Sequence, residues 1–277
     1  MNLEIIEKYT TLISQAKNLS YPRVLVNVCS HGNETLGIEV LDKLKEISIQ
    51  SGSVIFHIAN ELALKEGKRF IDSDLNRSFP GSVTGGYEEQ VAFQMMQYIP
   101  NFDYVIDIHS TVSATKDCLI IEDDSSEVQK MISVCENAKI ILHMIATKGT
   151  SLPAAARLPD KTIPVIAFEY GGNDAETRDR TCADIRNILS LLGVIKPTDF
   201  VTNARKPQQF ECYATYPKLE TDTPNVEIKN YEIIHKGDII GYSEGRTPIL
   251  SDSDFYPVLF GEINYKTIFG FKAKKLD

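Results

Sequence analysis

An α/β fold followed by a smaller β-domain is what the sequence predicts, on three observations. Apolar runs of strand length alternate with helix-length amphipathic segments as far as about residue 192. The texture changes near Pro197, and from about Asn203 short β-like runs are separated by glycine, proline and asparagine. At 277 residues the chain is also long for one compact unit. We therefore expect an α/β domain over 1–202 and a small β-domain over 203–277.

Residues 3–18 read as an amphipathic helix, and Val24 to Val28 as the first buried strand. Thr35 to Glu46 follows as a helix with Leu36, Val40, Leu41 and Leu44 on one side. Ser53 to Ala59 reads as a strand after Gly52, and the polar stretch 60–86 as a long loop of the kind that is usually functional or disordered. A helix over 88–98, strands at 104–109 and 119–121, a helix over 125–139 and a strand at 140–146 come next. A second loop spans 147–159, a strand 165–169 ends at Gly171-Gly172, and a helix runs over 175–192. In the C-terminal region, 235–241 reads as a turn between strands.

A formal net charge of −9 without a basic run argues against nucleic-acid binding, and it requires a local cationic pocket for any anionic substrate. The five cysteines are too far apart for paired metal clips, and a sparse odd set suits reduced thiols in a cytoplasm. The acidic start lacks the pattern of a signal peptide, and no apolar run approaches the roughly 20 residues a membrane span needs. The expectation is a cytoplasmic protein with no membrane partner; the oligomeric state stays open, a homo-oligomer included.

Three strands end on reactive groups. Cys29-Ser30-His31-Gly32-Asn33-Glu34 follows the first, His109 ends another, and Glu169 ends a third. Ligands of open α/β sheets collect beyond the carboxyl ends of the strands, so these groups can converge. Two imidazoles and a carboxylate form a donor set used by catalytic zinc, although ligand type also admits other divalent ions. Glu169 then suits a general base beside the metal. Asp107 shares a strand face with His109 and either orients its imidazole or forms a structural ion pair. His57 and His143 lie inside strand patterns and read as core or sheet residues, His235 as solvated, and Cys29 as packed behind the turn. The loop 68–81 carries Arg69 and Arg77 around an Asp-x-Asp-Leu-Asn core. That composition suits anchoring a carboxylate and holding a developing oxyanion.

Four ordered motifs resemble the succinylglutamate desuccinylase/aspartoacylase family, relatives of the zinc carboxypeptidases. They are His-Gly-Asn-Glu at 31–34, Asp-x-Asp-Leu-Asn-Arg-x-Phe-Pro-Gly at 72–81, Asp-Ile-His-Ser-Thr at 107–111 and Phe-Glu-Tyr-Gly at 168–171. Tyr256-Pro257-Val258 with Glu262 and Tyr265 adds a similar element near the C-terminus. The resemblance implies a zinc-carboxypeptidase-like mixed sheet flanked by helices, with the small β-domain bordering the active site. It implies one zinc ion per chain held by His31, Glu34 and His109, with Glu169 as the catalytic glutamate and Arg69 polarising the substrate carbonyl. Asn76 and Arg77 match the pair that holds a substrate carboxylate, and Tyr265 a tyrosine reaching into the pocket. Arg157 is the nearest match to a further substrate arginine, at a shifted spacing. Cys29-Ser30 stands where such chains often have glycines. The expected activity is hydrolysis of the amide bond of a small carboxylate-bearing N-acyl amino acid. The alternatives are a zinc carboxypeptidase acting on short peptides and a non-catalytic metal-dependent binding protein.

Overall fold

The apolar runs become the inner strands of one sheet because both of its faces are covered. In a computed structural model of the chain, the described residues are 11–14, 20–111, 115–145, 150–197 and 206–276. Strands β1 (Thr11–Ser14), β2 (Arg23–Val28), β3 (Ser53–Ile58), β4 (Tyr104–Thr111), β5 (Cys118–Ile121), β6 (Ile140–Met144) and β7 (Val165–Gly171) belong to this sheet. So do β8 (Gln208–Pro217), β12 (Tyr256–Val258) and β13 (Ile268–Leu276), in the order β1-β3-β2-β4-β7-β5-β6-β8-β13-β12. Strands β2, β3, β4 and β7 run parallel, whereas β5 is antiparallel to β7 and β13 to β8, so the sheet is mixed. A separate three-stranded antiparallel sheet holds β9 (Thr223–Pro224), β10 (Ile239–Tyr242) and β11 (Pro248–Leu250).

Alternation along β2 sends its side chains into two different core clusters. Val24, Val26 and Val28 of β2 pack with α1 (Leu36–Leu44), α4 (Ser126–Ser133) and α6 (Ala175–Leu191). Between them in the chain lie α2 (Glu61–Glu66), α3 (Tyr87–Tyr98) and α5 (Leu152–Ala155). Leu25 of β2 faces the other way, into a cluster with Val91 and Met95 of α3 and Leu152 of α5. Helices thus flank the sheet, as expected.

Several expectations are corrected. Within the helix expected over 3–18, Thr11–Ser14 is instead a strand that pairs antiparallel with β3 and covers that strand's open edge; the remaining residues of that span lie outside the described ones. The loop 60–86 contains α2, which Asn60 caps through its side chain and Gly67 ends in a left-handed conformation. The helix expected over 125–139 stops at Ser133, because the backbone N–H groups of Glu136 and Asn137 donate to Asp184 of α6 rather than back along the helix. The second loop contains α5, capped by Ser151. The residues around the expected boundary at 203 lie outside the described ones. Beyond them β8 pairs parallel to β6, so the C-terminal region continues the main sheet as well as forming its own. Among the described residues no helix is long and apolar enough to cross a membrane.

Candidate active site

The chain leaves β2 for β3 on one side and later returns to form β4 on the other, which opens a crevice at the carboxyl end of β2. Into it project the turn after β2, the end of β4 and the end of β7. His109 and Glu169 are directly opposed in the β4–β7 register, which accounts for their proximity despite a separation of 60 positions in the chain. The turn after β2 is drawn tight. Cys29 takes a left-handed conformation (φ 56°), and a β-carbon on Gly32 would lie 2.1 Å from the backbone of Ala63. Close approach to α2, rather than a special torsion, is what requires glycine at 32.

His31, Glu34 and His109 are all buried, and each offers a donor atom within 4.8 Å of the others. His31 Nδ1 lies 2.8 Å from Glu34 Oε1 and His109 Nδ1 lies 3.0 Å from Glu34 Oε2. The far nitrogens are taken by other carboxylates: His31 Nε2 is 3.0 Å from Asp74, and His109 Nε2 is 2.9 Å from Asp107. Those pairings leave both Nδ1 atoms on Glu34, so two imidazoles and a carboxylate gather as the donor set a divalent cation takes. The residues present therefore fit the metal that the sequence implies. Asp107 thus contacts a candidate ligand, a position consistent with orienting it. Burial works against the charge on Glu34, yet His31 and His109 hold it well below the usual carboxylate range.

Glu169 is the contrast. Burial, and then the neighbouring charge of Glu34, push its carboxyl up to about 7, the direction that makes a carboxylate a better proton acceptor. Arg69 donates to Glu34 (3.1 Å) and to Asp74 (3.2 Å), which holds its guanidinium beside the donor cluster. Asn76 accepts from Leu152 N (3.2 Å), leaving its amide nitrogen toward His109, and Arg77 donates to the Asn76 carbonyl (2.7 Å). Tyr265 stands edge-on to Phe271, and both line the same cavity as Arg69, Asn76 and Arg77. Counting its open mouth, that cavity holds about 730 Å³ of empty space, and Ile120, Met144, Leu259 and Phe271 give it an apolar side.

Arg157 is not brought to the cavity. It is exposed, and a short antiparallel bridge to Thr162 turns it away after α5. His57 is fully buried, His143 bonds Gln209 within the sheet, and His235 is exposed beside Asp254. Cys29 is buried and its thiol donates to the Glu34 carbonyl. Sequence reasoning missed Asp74 as a partner of His31, although it stood in the Asp-x-Asp-Leu-Asn run. It also missed Glu88, whose carboxylate accepts from the backbone N–H groups of Ile71, Asp72 and Ser73 and so holds the arginine loop in shape.

A mixed α/β sheet with a buried two-histidine, one-carboxylate cluster and a separate acid at its strand ends puts the chain among α/β proteins that gather a candidate metal site at the ends of parallel strands. Comparison with known proteins places it more closely. Residues 20–192 match the family described as the succinylglutamate desuccinylase/aspartoacylase catalytic domain, and this chain belongs to that family. It is 24% identical to a probable aspartoacylase of Nostoc sp. over 88% of this chain and 92% of that protein. It is 33% identical to a mouse N-acyl-aromatic-L-amino acid amidohydrolase (carboxylate-forming), over 90% of this chain and 80% of that one. The crystal structure of murine aminoacylase 3 superposes with a TM-score of 0.75 at 20% identity, covering 94% of this chain and 97% of that chain, which shows a shared fold.

Proposed function

We propose that this chain is a zinc-dependent hydrolase that cleaves the amide bond of a small N-acyl amino acid. The observation that carries the reading is the convergence of His31, Glu34 and His109 on one point, with Glu169 beside them and not needed as a ligand. A binding protein needs ligands, but it has no use for an acid poised as a base. The relatives named as amidohydrolases agree with it.

His31, Glu34 and His109 would hold the zinc ion, which when bound supplies a Lewis acid for the substrate carbonyl and makes water a stronger nucleophile. Arg77 and the Asn76 amide bind the substrate carboxylate, so contacts remote from the scissile bond align it. Arg69 donates to the carbonyl oxygen as negative charge develops there. Glu169 takes a proton from the attacking water while the water oxygen bonds to the carbonyl carbon. When the C–N bond breaks, Glu169 returns that proton to the departing nitrogen, giving a carboxylate and a free amine. Tyr265 and the apolar side of the cavity enclose the acyl group.

A second cavity abuts the first and shares Arg69, Arg77, Asn264 and Tyr265 with it, which favours keeping short peptides as a second substrate class. The deciding experiment gives zinc-loaded protein a panel of N-acetyl, N-succinyl and N-formyl amino acids and short peptides, with amine release as the readout. Turnover of an N-acyl amino acid is expected. Preference for peptides selects the carboxypeptidase reading, and stoichiometric zinc with no hydrolysis selects the binding protein.

A further inference from the structure

Each of three neighbouring strands carries one polar residue inside an apolar run: Val26-Asn27-Val28, Phe56-His57-Ile58 and Ile106-Asp107-Ile108. The parallel register sets Asn27 directly opposite both His57 and Asp107, so the three form one polar row across the sheet. All three are fully buried. Burying polar side chains there costs free energy that valine or leucine would not, unless every group is paired.

The pairing is complete and it has a direction. Asp107 Oδ2 lies 2.9 Å from His109 Nε2, and Asp107 Oδ1 lies 2.7 Å from Asn27 Nδ2. A carboxylate only accepts, so the nitrogen of the Asn27 amide must face it and His109 must carry its proton on Nε2. The Asn27 oxygen then faces His57 Nδ1 at 2.5 Å, so that nitrogen carries the His57 proton. His57 Nε2 is left as an acceptor, and the Tyr98 hydroxyl, at the end of α3, donates to it at 2.6 Å. Asn27 Nδ2 also donates to Ser30 (2.9 Å), which directly precedes His31. Asn76 Nδ2 sits 3.1 Å from His109 Nε2, but a ring nitrogen that donates to a carboxylate has no lone pair for it. Burial pushes the His57 imidazole down to about 3, in keeping with a neutral ring that donates on one side and accepts on the other.

We propose that Tyr98, His57 and Asn27 are positioning residues that act through Asp107. Their row fixes His109 with its proton on Nε2 and the lone pair of Nδ1 turned toward the metal position. The inference rests on the metal-binding part of the proposed function and is independent of the hydrolysis itself. Asn27, His57 and Tyr98 do not line the cavity and are buried from water; the row meets the cavity only at Asp107, beside the candidate ligand His109.

The test uses the full chain, labelled with ¹⁵N-histidine and loaded with zinc. Long-range ¹H–¹⁵N spectra should show His57 as a single neutral tautomer protonated at Nδ1 and His109 protonated at Nε2. Zinc affinity, measured by competition with a chelator, should weaken by about tenfold or more in Asn27→Leu and His57→Phe, and less in Tyr98→Phe, because partners of metal ligands act on this scale. Leu25→Ala, on the same strand face, serves as the control: it should lower the melting temperature and leave zinc affinity unchanged. His57 protonated at Nε2 in the wild type overturns the proposal, whether or not any variant folds. So do folded variants that hold zinc within about twofold of the wild type, well inside the expected range. Neither readout needs a substrate, so a failed amide screen leaves both results intact. A wild-type chain that binds no zinc ends this inference and the metal reading together.

Discussion

At the scale of single residues, the two glutamates of the site differ in what surrounds them. Glu34 sits between two imidazoles and is held ionised, whereas Glu169 is buried facing another carboxylate and is pushed up to about 7. One environment suits a ligand and the other a base. Glu169→Gln keeps shape and volume but removes the proton acceptor, so zinc content should stay at the wild-type level. Turnover should fall by roughly 10²–10⁴-fold, the usual worth of a positioned general base. Metal analysis and kcat on the best substrate check both halves, and near-normal turnover would remove Glu169 from the role. These residues were legible because reactive groups stood at strand ends beside recognisable motifs. Asn27 and His57 were not. Inside an apolar run, a polar residue shows that it needs a partner but not which strand supplies it, and the register that pairs them is set by the whole sheet.

At the scale of elements, the loop that carries Arg69, Asn76 and Arg77 has little regular structure, and its shape is imposed from outside. Glu88, fully buried at the start of α3, accepts from three consecutive backbone N–H groups of the loop and from Asn60. Glu88→Ala leaves those donors unpaired, which should cost on the order of 3 kcal/mol in denaturant unfolding. In the protein that remains folded, KM for the substrate should rise, because the arginines are no longer held. Equal stability and KM in the variant would show that the loop keeps its shape without this clamp. The sequence marked the loop as functional but hid the clamp, since an acid near a helix start also reads as ordinary capping chemistry.

The start of β2 is tied to the residue that precedes β4. Asp103 receives two bonds of 2.8 Å from the Arg23 guanidinium, and the pairing lowers its carboxyl below the ordinary 3.8. A depressed folded value means that the stabilisation is full above that ordinary value and is lost as pH falls through the lower one. Because Arg23 is about a third exposed, solvent screening limits the pair to about 1 kcal/mol. Asp103→Asn should therefore melt below the wild type at pH 7, and the two should converge in strong acid. Melting curves taken across that range decide it, and a constant gap would assign the loss to something other than charge.

At the scale of the molecule, candidate ligands from the turn between β2 and α1 (His31 and Glu34) and from β4 (His109) are drawn to one point, so an ion bound there would tie distant segments together. Zinc that binds the folded chain only should stabilise it by about 2.7 kcal/mol at one hundred times its dissociation constant. Thermal melts with zinc and with a chelator should separate accordingly, and identical curves would remove the metal. The α/β region was legible because its strands and helices are long enough to show their periods. The C-terminal strands showed only as short runs: no local pattern reveals that β8 joins β6 or that β13 lies between β8 and β12.

That last placement has a consequence for how the chain is made. The proposed metal-binding residues have all emerged by position 109 and the proposed base by 169, yet Tyr265 and Phe271, which wall the cavity, are about a hundred positions later. A growing polypeptide thus carries a grip for the ion well before it has a chamber for the substrate, and meanwhile β6 and then β8 present open edges on the ribosome.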